Sequence, residues 1–273
     1  MANPGGSAPF GRRLPYLHSP EMTNSAAFRI ATWNLDRPAI RRKSRSRERL
    51  AELQRHNVDV WILTETDRDL ELPGYTMVAT RRPDHPGYSV REAYAAVHSR
   101  WPMRSLEFTA FDPCFGVCAL IESPFGPLLV HGSIITYHND GVADGKAKPW
   151  ERHRESVRQH GKDWREQRSH FPNHHLIVGG DFNQALDGVG RYRDKQATAL
   201  LRAAFEDADL QCLTTADFTK PPKGLSRHSI DHIAVSKGLL AKATSTVDVW
   251  EGVTPAGVSL SDHNGVVVAL AIG

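Results

Sequence analysis

From residue 28 onward the chain alternates short apolar segments with longer polar ones. Eight segments are rich in valine, isoleucine or aromatic residues and end in turn residues, which is typical of β-strands. They cover residues 28–35, 58–66, 93–98, 116–123, 127–136, 174–180, 229–236 and 264–272. The sequence SPFGP lies between two of them and predicts a hairpin turn because of its proline and glycine content.

Helical periodicity is found in two of the remaining stretches. Residues 197–208 place their apolar side chains on one face at 3.6-residue spacing, and the charged stretch 149–170 has Pro149 near its first turn. Many strands with few helices predict packed sheets covered by helices, not a doubly wound parallel sheet. Residues 1–27 are rich in Gly, Pro and Ser and contain no secretory signal, so we expect a flexible tail before one domain at 28–273.

Composition narrows the class of protein. A chain of 273 residues with 40% hydrophobic content can bury the core of one large domain. The 3 cysteines include no Cys-x-x-Cys pair, which argues against a disulfide framework or a structural zinc site and favours a reducing, cytoplasmic setting. No apolar stretch approaches the roughly 20 residues of a membrane span. We expect a monomer, and a net charge of +3 is too small to identify its partner.

Acids, amides and histidines cluster where the predicted strands begin or end. Alone, Asp262 or the Asp-x-Asn sequence also fits an ordinary turn, whereas Gly179 and Gly180 suggest a backbone that approaches a ligand closely. As a set, these side chains have the composition of a hard-cation site, because Mg²⁺ prefers oxygen ligands. The set is Asn34, Glu65, Asp181, Asn183, Asp231, Asp262 and His263.

Five short motifs give this set a family resemblance. In order along residues 28 to 272, ATWNL, ILTET, VGGDFN, IDHIAVS and SDHNGVVV resemble the endonuclease/exonuclease/phosphatase superfamily, which includes the exonuclease III-like and DNase I-like enzymes. The resemblance implies an α+β fold, a four-layer αββα sandwich, and metal-dependent hydrolysis of phosphoester bonds. It also implies that Glu65 binds Mg²⁺, for which Mn²⁺ can substitute, with Asn34 and Asp262 completing or supporting the metal shell.

The remaining members of the set receive catalytic roles from the same resemblance. His263 is expected to face the scissile phosphate while Asp231 fixes its imidazole. Asp181 is expected to orient or deprotonate the attacking water, and Asn183 to donate to a phosphate oxygen. Whether Asp181 or His263 removes the proton stays open.

Two positions depart from the family pattern. Ile134 and Ile135 stand near the place where relatives commonly carry a His or Tyr that touches phosphate. Tyr137 or His138 can fill that role, or both are ordinary loop residues. Thr64 stands where many relatives have Gln, which weakens inference about the substrate.

A basic segment follows Asn34 within three residues. Its residues Arg41, Arg42 and Lys43 form either a solvated arm or a contact for a polyanionic substrate. The leading hypothesis is a Mg²⁺-dependent phosphodiesterase or nuclease acting on a phosphate ester, which includes nucleic acid. The alternatives are a phosphatase of a small or lipid-linked ester, and a weakly or non-catalytic nucleic-acid-binding protein on the same fold.

Overall fold

The structure is a computed structural model that describes residues 27–39, 41, 43–82, 87–107 and 112–273. All but the last residue of the predicted tail at 1–27 therefore lies outside the described residues. Within the described chain, no helix is both long and apolar enough to cross a membrane.

Twelve strands and four α-helices make up the described fold. The strands are β1 (Ala27–Asn34), β2 (Val60–Asp67), β3 (Thr76–Ala79), β4 (Glu92–Ser99), β5 (Met103–Ser105), β6 (Gly116–Ser123), β7 (Gly126–Ile134), β8 (His175–Asp181), β9 (Leu210–Cys212), β10 (Asp231–Ser236), β11 (Ala243–Trp250) and β12 (Gly265–Ile272). The helices are α1 (Ser46–Arg55), α2 (Glu151–His170), α3 (Lys195–Asp207) and α4 (Lys237–Leu240). A short 3-10 turn at Lys43–Arg45 precedes α1.

The described strands form two six-stranded mixed sheets. The first has the order β11-β12-β1-β2-β4-β3, and the second has the order β5-β6-β7-β8-β10-β9. In each sheet two central strands run parallel, β1 with β2 and β7 with β8, while the other pairs are antiparallel. Each parallel pair aligns the ends of two strands at one edge, where side chains from both sheets can meet.

Apolar side chains separate the structure into layers. Ile62, Val97 and Ile177 belong to a buried cluster between the two sheets. A second cluster, which includes Trp164 of α2 and Phe205 of α3, covers the outer face of the second sheet. A third cluster, which includes Trp33, Leu53 and Trp61, packs α1 on the outer face of the first sheet. This helix, sheet, sheet, helix arrangement confirms the α+β sandwich.

All eight predicted strands are present, and α2 and α3 begin within two residues of the predicted starts. The SPFGP turn joins β6 to β7. Four strands have no counterpart in the sequence prediction: β3, β5, β9 and β11. Three of these have only three or four residues, and β11 (ATSTVDVW) is an exposed edge strand without an apolar run.

Candidate active site

Strand ends from both sheets converge at one place. Asn34 ends β1 in the first sheet, and Asp181 ends β8 in the second, where it pairs in register with Asp231 at the start of β10. All three side chains are buried. Asn34 Nδ2 donates to Asp181 Oδ2 at 3.1 Å, so one hydrogen bond joins the two sheets at the site.

His263 stands between two carboxylates. Its Nδ1 lies 2.7 Å from Asp231 Oδ2, which is a hydrogen bond, and its Nε2 lies 3.9 Å from Asp181 Oδ2, which is too long for one. The loop before β12 holds the ring in place, because the His263 N–H donates to Ser261 Oγ, and that hydroxyl donates to the Asn34 carbonyl at 2.6 Å. One atom from each of Asp181, Asp231 and His263 lies within 4.8 Å of the others, close enough to share one cation.

Electrostatics at the site are dominated by buried negative charge. Burial raises the pKa of the Asp181 carboxyl to about 8, against the opposing charge of His263. Burial alone would lower the pKa of His263, but the charges of Asp231 and Asp181 outweigh it and raise that pKa to about 10. Burial also raises the pKa of Glu65. Three carboxyl groups, those of Glu65, Asp181 and Asp231, surround the single imidazole of His263. A bound cation would offset this excess of negative charge.

Glu65 is held in an unusual backbone conformation. Its φ of +43° lies in the left-handed region, which is uncommon for a residue other than glycine and concentrates at functional sites. The turn after β1 fixes it, because the Arg37 N–H donates to the Glu65 carbonyl at 3.0 Å. Among the described residues, no Lys or Arg forms an ion pair with the Glu65 carboxylate.

The predicted metal-binding residues fit a hard cation in their chemistry. The half-buried Glu65 carboxylate lines the main cleft, and Asn34 and Asp262 both influence its pKa, which places them nearby. The Asn34 side-chain oxygen accepts the Asp36 N–H at 2.9 Å, and Asp262 is solvent-exposed. Anionic and amide oxygens at one cleft wall are the ligands that Mg²⁺ prefers.

Asn183 is held within the protein by both ends of its amide. Its Nδ2 donates to Asp181 Oδ2 at 3.0 Å and to the Ile135 carbonyl at 2.9 Å, so a phosphate contact would require it to release one of these acceptors. The Tyr192 hydroxyl donates to its Oδ1 at 3.2 Å, and His138 Nδ1 lies 3.0 Å from that hydroxyl. His138 therefore supports Asn183 through Tyr192. Sequence reasoning missed Tyr192, which lies in a loop and carries no motif signal.

Two cavities meet at the side chains of Asn183 and His263. A cleft of about 880 Å³ is lined by Glu65, Asp181 and the predicted phosphate contact Tyr137, which is 51% exposed. A second cavity of about 650 Å³ is lined by Asp231 and Asp262. Asn183 and His263 line both cavities.

The three predicted substrate-binding residues of the basic segment differ in their position relative to the cleft. Arg41 lines the main cleft and pairs with Asp36 at 2.7 Å. Lys43 is exposed and is not among the residues that line the cleft. Arg42 lies outside the described residues.

The expected role of the glycines before Asp181 was wrong. Gly180 has a φ of +134°, and a Cβ atom there would lie 1.9 Å from the Ser133 carbonyl of β7. A Cβ at Gly179 would meet Ile62 at 2.9 Å and the His232 carbonyl at 3.1 Å. The glycines make room for the neighbouring strand and the core, and neither of them lines the cleft or the cavity beside Asp231.

Comparison with solved structures shows the same fold at low identity. The AP endonuclease LMAP from Leishmania major is 15% identical, with a TM-score of 0.63 over 97% of this chain and 93% of that chain. The catalytic domain of human Nocturnin is 18% identical, with a TM-score of 0.61 over 90% of this chain and 94% of that chain. The endonuclease domain of the retrotransposon TRAS1 is 17% identical, with a TM-score of 0.59 over 90% of this chain and 99% of that chain.

Sequence comparison identifies the family. Comparison with curated proteins finds no significant match. Residues 31–263, most of the chain, match the Endonuclease/Exonuclease/phosphatase family, and this segment contains every residue of the convergent site. The chain therefore belongs to the Endonuclease/Exonuclease/phosphatase family and is a phosphoesterase.

Proposed function

We propose that the protein is a Mg²⁺-dependent phosphodiesterase. The observation that carries this proposal is that Asn183 and His263 line two cavities at once. A diester phosphorus bears two organic substituents, and each cavity offers room for one of them. A monoester would leave one of the cavities without a role.

Metal binding is assigned to the wall that carries Glu65. Its carboxylate is the direct ligand, and Asn34 and Asp262 complete or support the shell through oxygen atoms or water. When bound, Mg²⁺, for which Mn²⁺ can substitute, would neutralise charge on the phosphate oxygens. The raised pKa of Glu65 and the absence of an ion-pairing Lys or Arg among its described neighbours support this assignment.

The protein's own residues orient the reaction. Asp231 holds Nδ1 of His263, which leaves Nε2 directed toward the phosphate and 3.9 Å from Asp181. Asn183 and Asn34 each donate to Asp181 Oδ2 and so fix that carboxylate beside the attacking water. Water forms the new bond to phosphorus as the bond to one ester oxygen breaks. Its proton passes to Asp181 or His263, and the leaving oxygen takes up a proton.

The charges around the cleft favour a short substrate over a long nucleic acid. Each of the four basic side chains that line it already contacts an acid at 2.5 to 3.2 Å. The pairs are Arg37 with Glu92, Arg41 with Asp36, Lys146 with Asp144 and Arg152 with Asp140. A nuclease that tracks a polyanionic backbone depends on cations available for phosphate contacts. Arg41 remains the best placed residue of the basic arm for such a contact.

The proposal is tested by comparing a diester with its monoester. Release of nitrophenol from bis(p-nitrophenyl) phosphate and from p-nitrophenyl phosphate is measured with Mg²⁺, with Mn²⁺ and with EDTA. We expect divalent-dependent hydrolysis with a higher kcat/KM for the diester. A preference for the monoester would favour the phosphatase alternative. No hydrolysis of either, or of a panel of DNA, RNA and phospholipid substrates, would favour the non-catalytic alternative.

A further inference from the structure

Three aromatic rings form one wall of the main cleft. Tyr88, Tyr94 and Phe115 are half-buried and line the same cavity as Glu65. The rings of Tyr94 and Phe115 stack, with centroids 4.9 Å apart and an interplanar angle of 13°. The Tyr88 ring meets Tyr94 edge-on, with centroids 5.2 Å apart and an interplanar angle of 70°. We call Tyr88, Tyr94 and Phe115 the aromatic wall.

The aromatic wall lies next to the reacting groups. Tyr94 lies on β4 opposite Glu65 on β2, because the residue pairs on either side of them are Thr64 with Ala95 and Thr66 with Ala93. Side chains opposite each other on antiparallel strands share one face of the sheet. Phe115 lies in the turn immediately before β6 of the second sheet, and its carbonyl accepts the Ile134 N–H of β7 at 3.0 Å. The stacked pair therefore spans the two sheets at the cleft.

Arg37 fixes the outer ring of the wall. Its guanidinium lies 4.3 Å from the centroid of Tyr88, donates to the Gly87 carbonyl at 2.8 Å, and binds the Glu92 carboxylate at 2.5 and 3.1 Å. The Ser89 N–H donates to the same carboxylate at 2.5 Å. The backbone N–H of Arg37 also donates to the Glu65 carbonyl. One residue thus ties the segment that carries Tyr88 to the strand that carries Glu65.

We propose that the aromatic wall is a subsite for a planar aromatic group, a nucleobase or an aryl group, attached to the phosphate that reacts at Asp181 and His263. Stacked rings on a preformed wall bind planar groups through their faces, and such contacts tolerate different bases. The pairing of Arg37 with Glu92 leaves the wall without a net charge to attract a second phosphate. The inference deepens the proposed function, because it rests on a phosphate bound at the same site.

The test compares three phosphates that differ only in what the phosphate carries. Isothermal titration calorimetry in Mg²⁺ gives Kd values for adenosine monophosphate, phenyl phosphate and ribose phosphate. We expect adenosine monophosphate to bind about tenfold more tightly than ribose phosphate, in the range measured for a base stacked on one ring. Phenyl phosphate distinguishes a nucleobase subsite from an aryl subsite. If phenyl phosphate binds as tightly as adenosine monophosphate, the subsite accepts aryl groups; if it binds as weakly as ribose phosphate, the subsite is specific for a nucleobase.

Matched variants assign the preference to the wall. Tyr88→Leu and Phe115→Leu should reduce the ratio of the Kd for ribose phosphate to the Kd for adenosine monophosphate to near one. Tyr88→Phe and Phe115→Tyr, which keep a ring, should retain that ratio. Val90→Ala is the control, because Val90 lies in the same segment, is 65% exposed and does not line the cleft. Thermal unfolding of each variant shows whether the fold is kept.

Three results would overturn the subsite. The first is equal affinity of the unsubstituted protein for adenosine monophosphate and ribose phosphate. The second is no binding of either by a protein that hydrolyses the chromogenic diester. The third is a preference that survives both leucine substitutions. If the protein does not hydrolyse the diester but binds adenosine monophosphate through the wall, the proposed function fails while the subsite stands.

Discussion

At the scale of single residues, the site depends on side chains that are held by several partners each. Asp181 accepts hydrogen bonds from Asn34 and from both the amide and the backbone N–H of Asn183, while His263 is fixed by Asp231 and by its own loop. Removing such partners raises the free energy of the buried carboxylate, because burial without hydrogen bonds disfavours the charged form. Substitutions at single positions can therefore show which side chains act in Mg²⁺ binding and which act in turnover of the phosphoester.

Glu65→Gln should weaken Mg²⁺ binding by at least about tenfold, the lower end of the effect of altering a metal site's supporting groups. The substitution removes one anionic oxygen and keeps the side-chain volume, so the melting temperature should be nearly unchanged. Calorimetric titration of Mg²⁺ and activity at limiting Mg²⁺ measure the effect. Glu122→Gln is the control, because Glu122 is exposed on β6, away from the cleft. Unchanged Mg²⁺ affinity would remove Glu65 from the metal site.

His263→Ala and Asp231→Asn should each reduce kcat by on the order of 10² or more, as expected for loss of an acid-base group or its partner. Because the two side chains act through one hydrogen bond of 2.7 Å, the double variant should lose little more than the worse single variant. Steady-state kinetics of all four proteins on one diester measure this. A double loss equal to the product of the two single losses would show that the residues work independently.

At the scale of elements, the approach of β7 to β8 sets where Asp181 stands. Gly180→Ala should destabilise the fold by at least about 2 kcal/mol, because the new methyl group overlaps the Ser133 carbonyl and the backbone is left-handed there. Gly238→Ala is the control, since a Cβ at that helical position meets nothing within 4 Å. Urea denaturation of both variants tests the contrast. Equal stability of the two would show that the strand pair adapts without cost.

The packing of α2 on the second sheet makes stability depend on pH. Burial lowers the pKa of His131 and His153 to about 4, and that of His160 to about 3, from a usual 6.5. Gln167 contacts the His131 ring, Ser133 Oγ lies 3.4 Å from His160 Nδ1, and the Thr136 carbonyl accepts from His153. Between pH 6.5 and these lowered values the unfolded chain binds more protons than the folded one. The contribution of these three histidines to stability is therefore full above pH 6.5 and is lost as the pH falls toward 4.

The free energy of unfolding should fall by on the order of a few kcal/mol between about pH 7 and about pH 4.5, as measured by urea unfolding. His160→Gln should make the dependence on pH shallower, whereas substitution of the exposed His170 by Gln should leave it unchanged. The same slope in His160→Gln and the unsubstituted protein would mean that His160 does not contribute to the dependence.

Elements also show which features a sequence reveals. Long strands such as β1 and β12 carry dense apolar runs, so their existence and type were predictable. The edge strand β11 alternates Thr, Ser and Asp with few apolar residues, and only its pairing with β12 makes it a strand. In the same way, the residues that converge in the candidate site could be picked out in the sequence because they stand at strand ends within motifs. Tyr192 and the aromatic wall were missed because they come together only through tertiary structure.

At the scale of the whole molecule, two packed sheets bring strand ends from distant parts of the chain to one edge. The hydrogen bond from Asn34 to Asp181 spans 147 residues and joins the wall proposed to bind the metal to the proposed catalytic carboxylate. Two cavities open from this point, and the aromatic wall borders the larger one. Under the proposed function, the two cavities receive the two substituents of a diester.

Metal-dependent hydrolysis at Asp181 is tested most directly by measuring kcat/KM for bis(p-nitrophenyl) phosphate with the unsubstituted protein and with Asp181→Asn, each in Mg²⁺ and in EDTA. We expect the unsubstituted protein to hydrolyse the diester, EDTA to abolish this activity and added Mg²⁺ to restore it. We also expect Asp181→Asn to reduce kcat/KM by on the order of 10² or more with the fold retained. Hydrolysis that persists in EDTA, or that is undiminished in Asp181→Asn, would show that the reaction does not need the metal or this carboxylate, respectively.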